Sequence, residues 1–345
     1  MRNYLIALGI GLLASLWHTN ALAADAPRPV KVFILAGQSN MEGKAKVSLL
    51  EYQIKQAATA PLFQHLQKDG KWVERDDVWI KFLDRHGKLT VGFGSPNCIG
   101  PELEFGNVVG DHYSEPVLLI KTAWGGRSLY RDFRSPSAGL PPAPVLEKML
   151  TAMKAKKPTA TMDDVKAPFG ASYRAMLEEV NSTLANLKTL FPQYDGRGWE
   201  IAGFVWFQGW NDMISAEYTA EYTANMVHFI RDIRKDLKVP NLPFVIAQMG
   251  VDGANANASV RKFKEAEAAV MDTPEFKGNV ALVKTDVFWD ADADAVFRKG
   301  WRQNLQQWNT VGSDYPYHYL GSVKTYSAIG KALGQAMLDL RKAGE

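Results

Sequence analysis

Three stretches of this chain end an apolar run in a polar turn, and a fourth carries a histidine that could serve them. In Val32-Phe-Ile-Leu-Ala-Gly-Gln-Ser-Asn-Met41 the run reads as a buried strand that breaks at Gly37-Gln38-Ser39-Asn40. A serine at the carboxyl end of a central strand stands where open α/β sheets place their ligands. The glycine lets the backbone turn sharply, and the amides that follow can point at a developing oxyanion. The same residues also make ordinary turns, so the other segments carry the decision. In Ile120-Lys-Thr-Ala-Trp-Gly-Gly-Arg-Ser-Leu129 paired glycines follow a strand, a setting in which a free backbone N–H is a ready oxyanion donor. In Gly203-Phe-Val-Trp-Phe-Gln-Gly-Trp-Asn-Asp212 a buried strand ends with Gln208 placed to offer its amide to the same edge. His318 lies in Ser313-Asp-Tyr-Pro-Tyr-His-Tyr-Leu-Gly321, an aromatic loop before the last helix. A nucleophilic serine needs a base within hydrogen-bond reach, and histidine titrates near neutrality. Convergence of these segments, more than any one motif, points to acyl transfer through a serine.

The elements that must position these residues alternate between two periods. Apolar runs predict strands over Val30–Ala36, Pro116–Thr122, Ile201–Gln208, Pro243–Gln248 and Val280–Thr285. Between them, Tyr173, Met176, Leu177, Val180, Leu184 and Leu187 recur at helical spacing within Ser172–Leu190, and Glu217–Leu237 and Val323–Leu340 do the same. Strands alternating with helices predict an α/β three-layer sandwich with a central parallel sheet and right-handed crossovers. Ser135–Pro144, with four prolines and a glycine, and the polar Lys156–Phe169 read as long loops over the carboxyl edge.

Composition narrows the class. Met1-Arg2-Asn3, an apolar stretch from Tyr4 to Trp17 and Ala21-Leu22-Ala23 read as a signal peptide over 1–23, cleaved before Ala24. The expectation is a secreted or periplasmic chain, one domain over 24–345, with no stable membrane anchoring after cleavage. The formal net charge of +3 falls to +2 without Arg2, which argues against a nucleic-acid partner. One cysteine, Cys98, allows no internal disulfide and reads as a small buried residue. No zinc, EF-hand, Walker or Rossmann signature is present, so no metal and no cofactor is implied. His65, His86, His112 and His228 sit on predicted surface helices, a helix end or a solvated turn, and read as structural or solvent-facing.

Gly37-Gln-Ser-Asn-Met41, Trp206-Phe-Gln-Gly209 and His318 with Gly321-Ser-Val-Lys-Thr-Tyr326 resemble the GDSL-like SGNH hydrolase superfamily, which has a flavodoxin-like sheet. Within it the chain is similar to the sialate O-acetylesterase branch that includes carbohydrate esterase family six, from Val30 to about Met337. The absence of G-x-S-x-G separates it from the α/β-hydrolase elbow. The resemblance implies Ser39 as nucleophile and His318 as base, with an oxyanion hole made of the Ser39 amide, the Gly126 amide and the Gln208 side chain. It implies an acetylated carbohydrate as substrate and leaves the oligomeric state open. Two departures stand out. Trp210 occupies the place after Gln-Gly where relatives often have an acid, and Tyr315 occupies the place three before the histidine where the orienting acid usually lies. Asp314, four before, is the candidate acid; another carboxylate or a dyad are the alternatives. Arg127 is expected to hold a sugar hydroxyl or to pair with Asp132, Glu102 to contact substrate or to favour its helix's amino end, and Trp210 to stack on a sugar ring or to pack in the core. A non-catalytic carbohydrate-binding protein on the same fold is the alternative function, with a lipase or thioesterase ranked behind it.

Overall fold

The computed structural model describes residues 27–344; the expected signal peptide lies outside them. A seven-stranded sheet organises the chain: Val30–Gly37 (β1), Arg75–Phe82 (β2), Arg85–Leu89 (β3), Val117–Ala123 (β4), Trp199–Phe207 (β5), Phe244–Gln248 (β6) and Val280–Lys284 (β7). The strand order is β7-β6-β5-β1-β4-β2-β3, and every pairing is parallel except β2 with β3. β1, β4 and β6 are buried along nearly their whole length, which is why they read as continuous apolar runs without alternation.

Helices cover both faces. On one, Phe33 meets Phe105 of Glu102–His112 (α2) edge-on at 5.5 Å. There Gly203 leaves room for Met337 of Val323–Gly344 (α6); a Cβ would lie 2.3 Å from its sulfur. On the other face, Phe204 and Trp206 pack on Phe229 of Ala216–Asp236 (α5), with Tyr173 of Ala171–Ala185 (α3) against the same ring.

The hairpin β2–β3 departs from the expected strand set. Arg85-His-Gly-Lys88 reads as a solvated turn because its composition is polar, but it is an antiparallel edge strand, the one place in a sheet where such residues face water without penalty. Within the expected loop Lys156–Phe169, Thr161 and Asp164 form a capping box that starts a short helix, Met162–Lys166. Cys98 is buried, and burial pushes its thiol pKa up.

Candidate active site

The register of three adjacent strands assembles the site. Gly37 at the end of β1 stands level with Ala123 of β4 and with Phe207 of β5, so the turns that follow all three leave the sheet at one edge. Gly37 is obligatory there: a Cβ would lie 2.1 Å from the Phe207 carbonyl oxygen. The chain then enters the short helix Ser39–Glu42 (α1) with Ser39 at its first position, where a helix leaves N–H groups without an internal partner. Among the described residues the Ser39 N–H accordingly makes no hydrogen bond, and neither does the N–H of Gly126, whose φ of +72° suits glycine. Two free amides therefore follow the ends of neighbouring strands.

The histidine loop folds back on itself. Pro316 opens a tight helical turn in which the Tyr315 carbonyl accepts the N–H groups of His318 and Leu320, while the Leu320 carbonyl accepts those of Ser313 and Asp314. This closure brings Asp314 Oδ1 to 3.2 Å from His318 Nδ1. The ring N–H does not point along the carboxylate oxygen, so the pair is in contact without an aligned hydrogen bond; catalytic hydrogen bonds commonly align fully only with substrate in place. Asn40 ties the loop to α1. Its amide donates to the Tyr317 carbonyl at 3.2 Å, and its oxygen accepts from the Tyr326 hydroxyl at 3.0 Å.

Two carboxylates that the motif reading passed over hold the glycine turn in place. Glu42 accepts the Gly125 N–H at 2.7 Å, and its other oxygen accepts from Lys44 at 2.6 Å and from Ser95 at 3.2 Å. Burial favours its neutral form, but Lys44 and these donors outweigh it and lower the pKa. Asp212 is fully buried and accepts the N–H groups of Leu129 at 2.8 Å and Tyr130 at 2.9 Å, with the Gln208 amide at 2.6 Å. Burial pushes its carboxyl up to about 6 against those three donors. Asp212 lies two places after Trp210, beside Asn211 in the short helix Trp210–Met213 (α4); an acid that close to the Gln208-Gly209 turn at a strand end is the signal that could have found it.

Gln208 reaches the expected edge with its amide already engaged. Nε2 faces Asp212 Oδ2, the Arg127 carbonyl at 3.0 Å and Gln38 Oε1 at 3.2 Å, while its own Oε1 is buried without a partner. Two hydrogens among three acceptors leave none for a fourth unless the longest contact, to Gln38, is exchanged.

The expected substrate contacts divide. Glu102 is corrected: it is fully buried, its oxygens taken by the Gly100 N–H at 2.9 Å and by Lys121 Nζ at 2.7 Å, so it cannot meet a substrate. Lys121 in turn donates to the carbonyls of Glu42 and Phe93, fixing the backbone beneath the site. Arg127 remains half exposed with a long 3.4 Å contact to Asp132. Trp210 is partly exposed and packs on Tyr317 at 5.4 Å, whereas Trp206 is core. The remaining histidines are engaged elsewhere, His65 with Glu104 and His228 with Ser137. Among the described residues no cluster of His, Cys, Asp or Glu could hold a metal ion, and no helix is long and apolar enough to cross a membrane.

Comparison with known proteins gives the same direction. The model of the carbohydrate esterase family of sialic acid-specific acetylesterases matches residues 29–292. Among solved structures, the chain is similar to a protein from Arabidopsis thaliana at 18% identity and a TM-score of 0.52, covering 90% of this chain and 98% of that one. It is also similar to XAC1771, a carbohydrate acetylesterase from Xanthomonas citri, at 12% identity and a TM-score of 0.51, covering 91% of this chain and 57% of that one. No curated protein matches. The family model spans most of the sequence, and the chain belongs to the carbohydrate esterase family of sialic acid-specific acetylesterases and is a carboxylic ester hydrolase.

Proposed function

We propose that this chain is an exported SGNH-type serine esterase, one domain over 24–345, that removes O-acetyl groups from a carbohydrate through an acyl-serine intermediate. The observation that carries the reading is the Asp314–His318 contact of 3.2 Å in a loop tied through Asn40 to the helix that begins with Ser39. His318 takes the Ser39 proton as the hydroxyl oxygen attacks the acetyl carbonyl; the carbonyl oxygen gains the charge. The free N–H groups of Ser39 and Gly126 are suited to stabilise that oxyanion, and Gln208 joins them by exchanging its contact with Gln38. Collapse expels the sugar alkoxide, which takes the proton from His318. Water then repeats the sequence on the acetyl-serine and releases acetate. Asp314 holds the imidazole and supports its charged form.

The non-catalytic alternative rests on Asp314 being out of register, and the 3.2 Å contact with His318 favours the catalytic reading over it. Export is supported by the leader-like 1–23, which lies outside the described residues. The test is acetate release from a panel of O-acetylated glycans by the wild type and by Ser39→Ala. Release that depends on Ser39 is the expected result; equal release by both overturns the mechanism.

A further inference from the structure

We infer that the groove beside Asp314 binds further sugar units of the substrate, so that the preferred substrate is an acetylated oligosaccharide rather than an acetylated monosaccharide. The inference rests on the esterase reading above and deepens it. The groove encloses about 740 Å³, far more than an acetyl group needs, and Asp314 belongs both to its lining and to the pair with His318. Its lining comes from Lys46, Ser48 and Leu49, just after α1, and from Trp301, Trp308 and the Ser313–Tyr315 turn, with the Lys46 N–H donating to the Ser313 hydroxyl at 3.1 Å.

Its surface has the mixture that sugars require, apolar ring faces for C–H surfaces beside hydroxyl, amide and charged groups for the hydroxyls. Tyr315 is 39% exposed and lies parallel to Tyr317 with centroids 5.4 Å apart. Tyr317 contacts both His318 and Trp210, so aromatic rings run without a break from the catalytic histidine to the groove. Arg302 fixes the outer end. Its guanidinium lies 4.9 Å over the Trp301 ring and donates to the Tyr315 hydroxyl at 3.3 Å. Rings held by neighbours present a binding face at little entropic cost. An alkyl chain would find Lys46, Ser48, Asn309 and Asp314 in its path, which disfavours a lipid occupant.

The test is the selectivity ratio, kcat/KM for an O-acetylated xylo-oligosaccharide or sialyl-oligosaccharide divided by kcat/KM for 4-nitrophenyl acetate, which is too small to fill the groove. Trp301→Ala is expected to lower that ratio at least tenfold for whichever oligosaccharide the wild type cleaves. Ser48→Tyr, at an exposed position in the groove's lining, adds a ring to the groove and is expected to do the same if Trp301→Ala fails to fold. A ratio unchanged in the folded variants overturns the groove assignment while leaving the esterase intact. An O-acetylated monosaccharide cleaved by the wild type as efficiently as the oligosaccharide also overturns it. Loss of Ser39 dependence on 4-nitrophenyl acetate, by contrast, is failure of the esterase mechanism itself.

Discussion

Asp314 and His318 are four residues apart in the chain, and the Asp314 carboxylate oxygen lies 3.2 Å from His318 Nδ1. A fully extended segment would hold the two residues roughly 13 Å apart. The turn closed by the His318 N–H on the Tyr315 carbonyl folds the intervening chain, and Tyr319 and Leu320, both left-handed with φ of 51° and 60°, then return it onto Ser313 and Asp314. Such conformations cost non-glycine residues about 1–3 kcal/mol each. The surroundings hold them: the buried Tyr319 hydroxyl accepts the Gly250 N–H at 2.8 Å and meets the Thr285 hydroxyl at 2.6 Å.

Replacing the acid tests that contact directly. Asp314→Asn keeps the loop's shape but favours the wrong imidazole tautomer, and kcat on a small acetyl ester is expected to fall on the order of 10⁴-fold. A loss below tenfold, measured in steady state on folded protein, removes Asp314 from the triad.

The nucleophile has the larger effect. Ser39→Ala is expected to reduce kcat by about 10⁶-fold, as loss of a covalent nucleophile does elsewhere, while leaving thermal unfolding nearly unchanged. Retention of a tenth of the activity is incompatible with the assignment.

Glu42→Gln weakens the tether between α1 and the Gly125 N–H. Misplacing the neighbouring Gly126 amide is expected to cost about 10² in kcat, with a smaller change in KM. Because the Glu42 pKa is lowered in the fold, its contribution to stability is present above its ordinary value of 4.5 and is lost as pH falls through the folded value. Denaturant titrations of wild type and variant at pH 7 and pH 3 are expected to show the gap closing on acidification.

Asp212 behaves with the opposite sign. Its carboxyl titrates at about 6 in the fold against 3.8 ordinarily, so the folded state holds the proton more tightly. That contribution is complete below the ordinary value and is lost as pH rises through the folded one, a change of ~3 kcal/mol. Asp212→Asn cannot titrate, so the wild type is expected to lose that much relative to the variant between pH 3.5 and pH 7.5 in urea unfolding. A pH-independent difference contradicts the assignment.

Glu102→Gln tests the corrected role. Removing one partner of a fully buried ion pair typically costs about 3–5 kcal/mol, so unfolding is expected at markedly lower denaturant. KM for an acetylated glycan is expected to stay within twofold in the folded fraction; a large rise in KM restores Glu102 as a substrate contact.

The five expected strands are legible from local chemistry alone. Residues buried on both faces of a parallel sheet must be apolar, so β1, β4, β5 and β6 announce themselves as runs whose polar ends mark the site's edge, and the partly buried edge strand β7 does so through its Val-Ala-Leu-Val composition. Ser39 and Gln208 stand at two of those ends and the Gly125-Gly126 pair follows a third, while the oxyanion roles come from the family resemblance. The hairpin β2–β3 is not legible in this way: the edge strand β3 is exposed and built of residues that also make turns, and β2 opens on Arg75-Asp-Asp77 before its buried apolar residues.

What only the tertiary structure decided is how charges meet across long stretches of chain. Asp212 reaches the amides of Leu129 and Tyr130, and Glu42 reaches Gly125, each more than eighty positions away in sequence. Glu102 leaves the substrate side because Lys121, on a neighbouring strand, is equally buried and needs a counter-charge. The reach of Asp314 to His318 depends on the turn over Tyr315–His318, and two left-handed torsions just after it, at residues that do not favour them, close the loop onto Ser313 and Asp314. Periodicity reports which face a residue turns to the core; it carries no record of which distant group satisfies a buried charge or holds a strained turn closed.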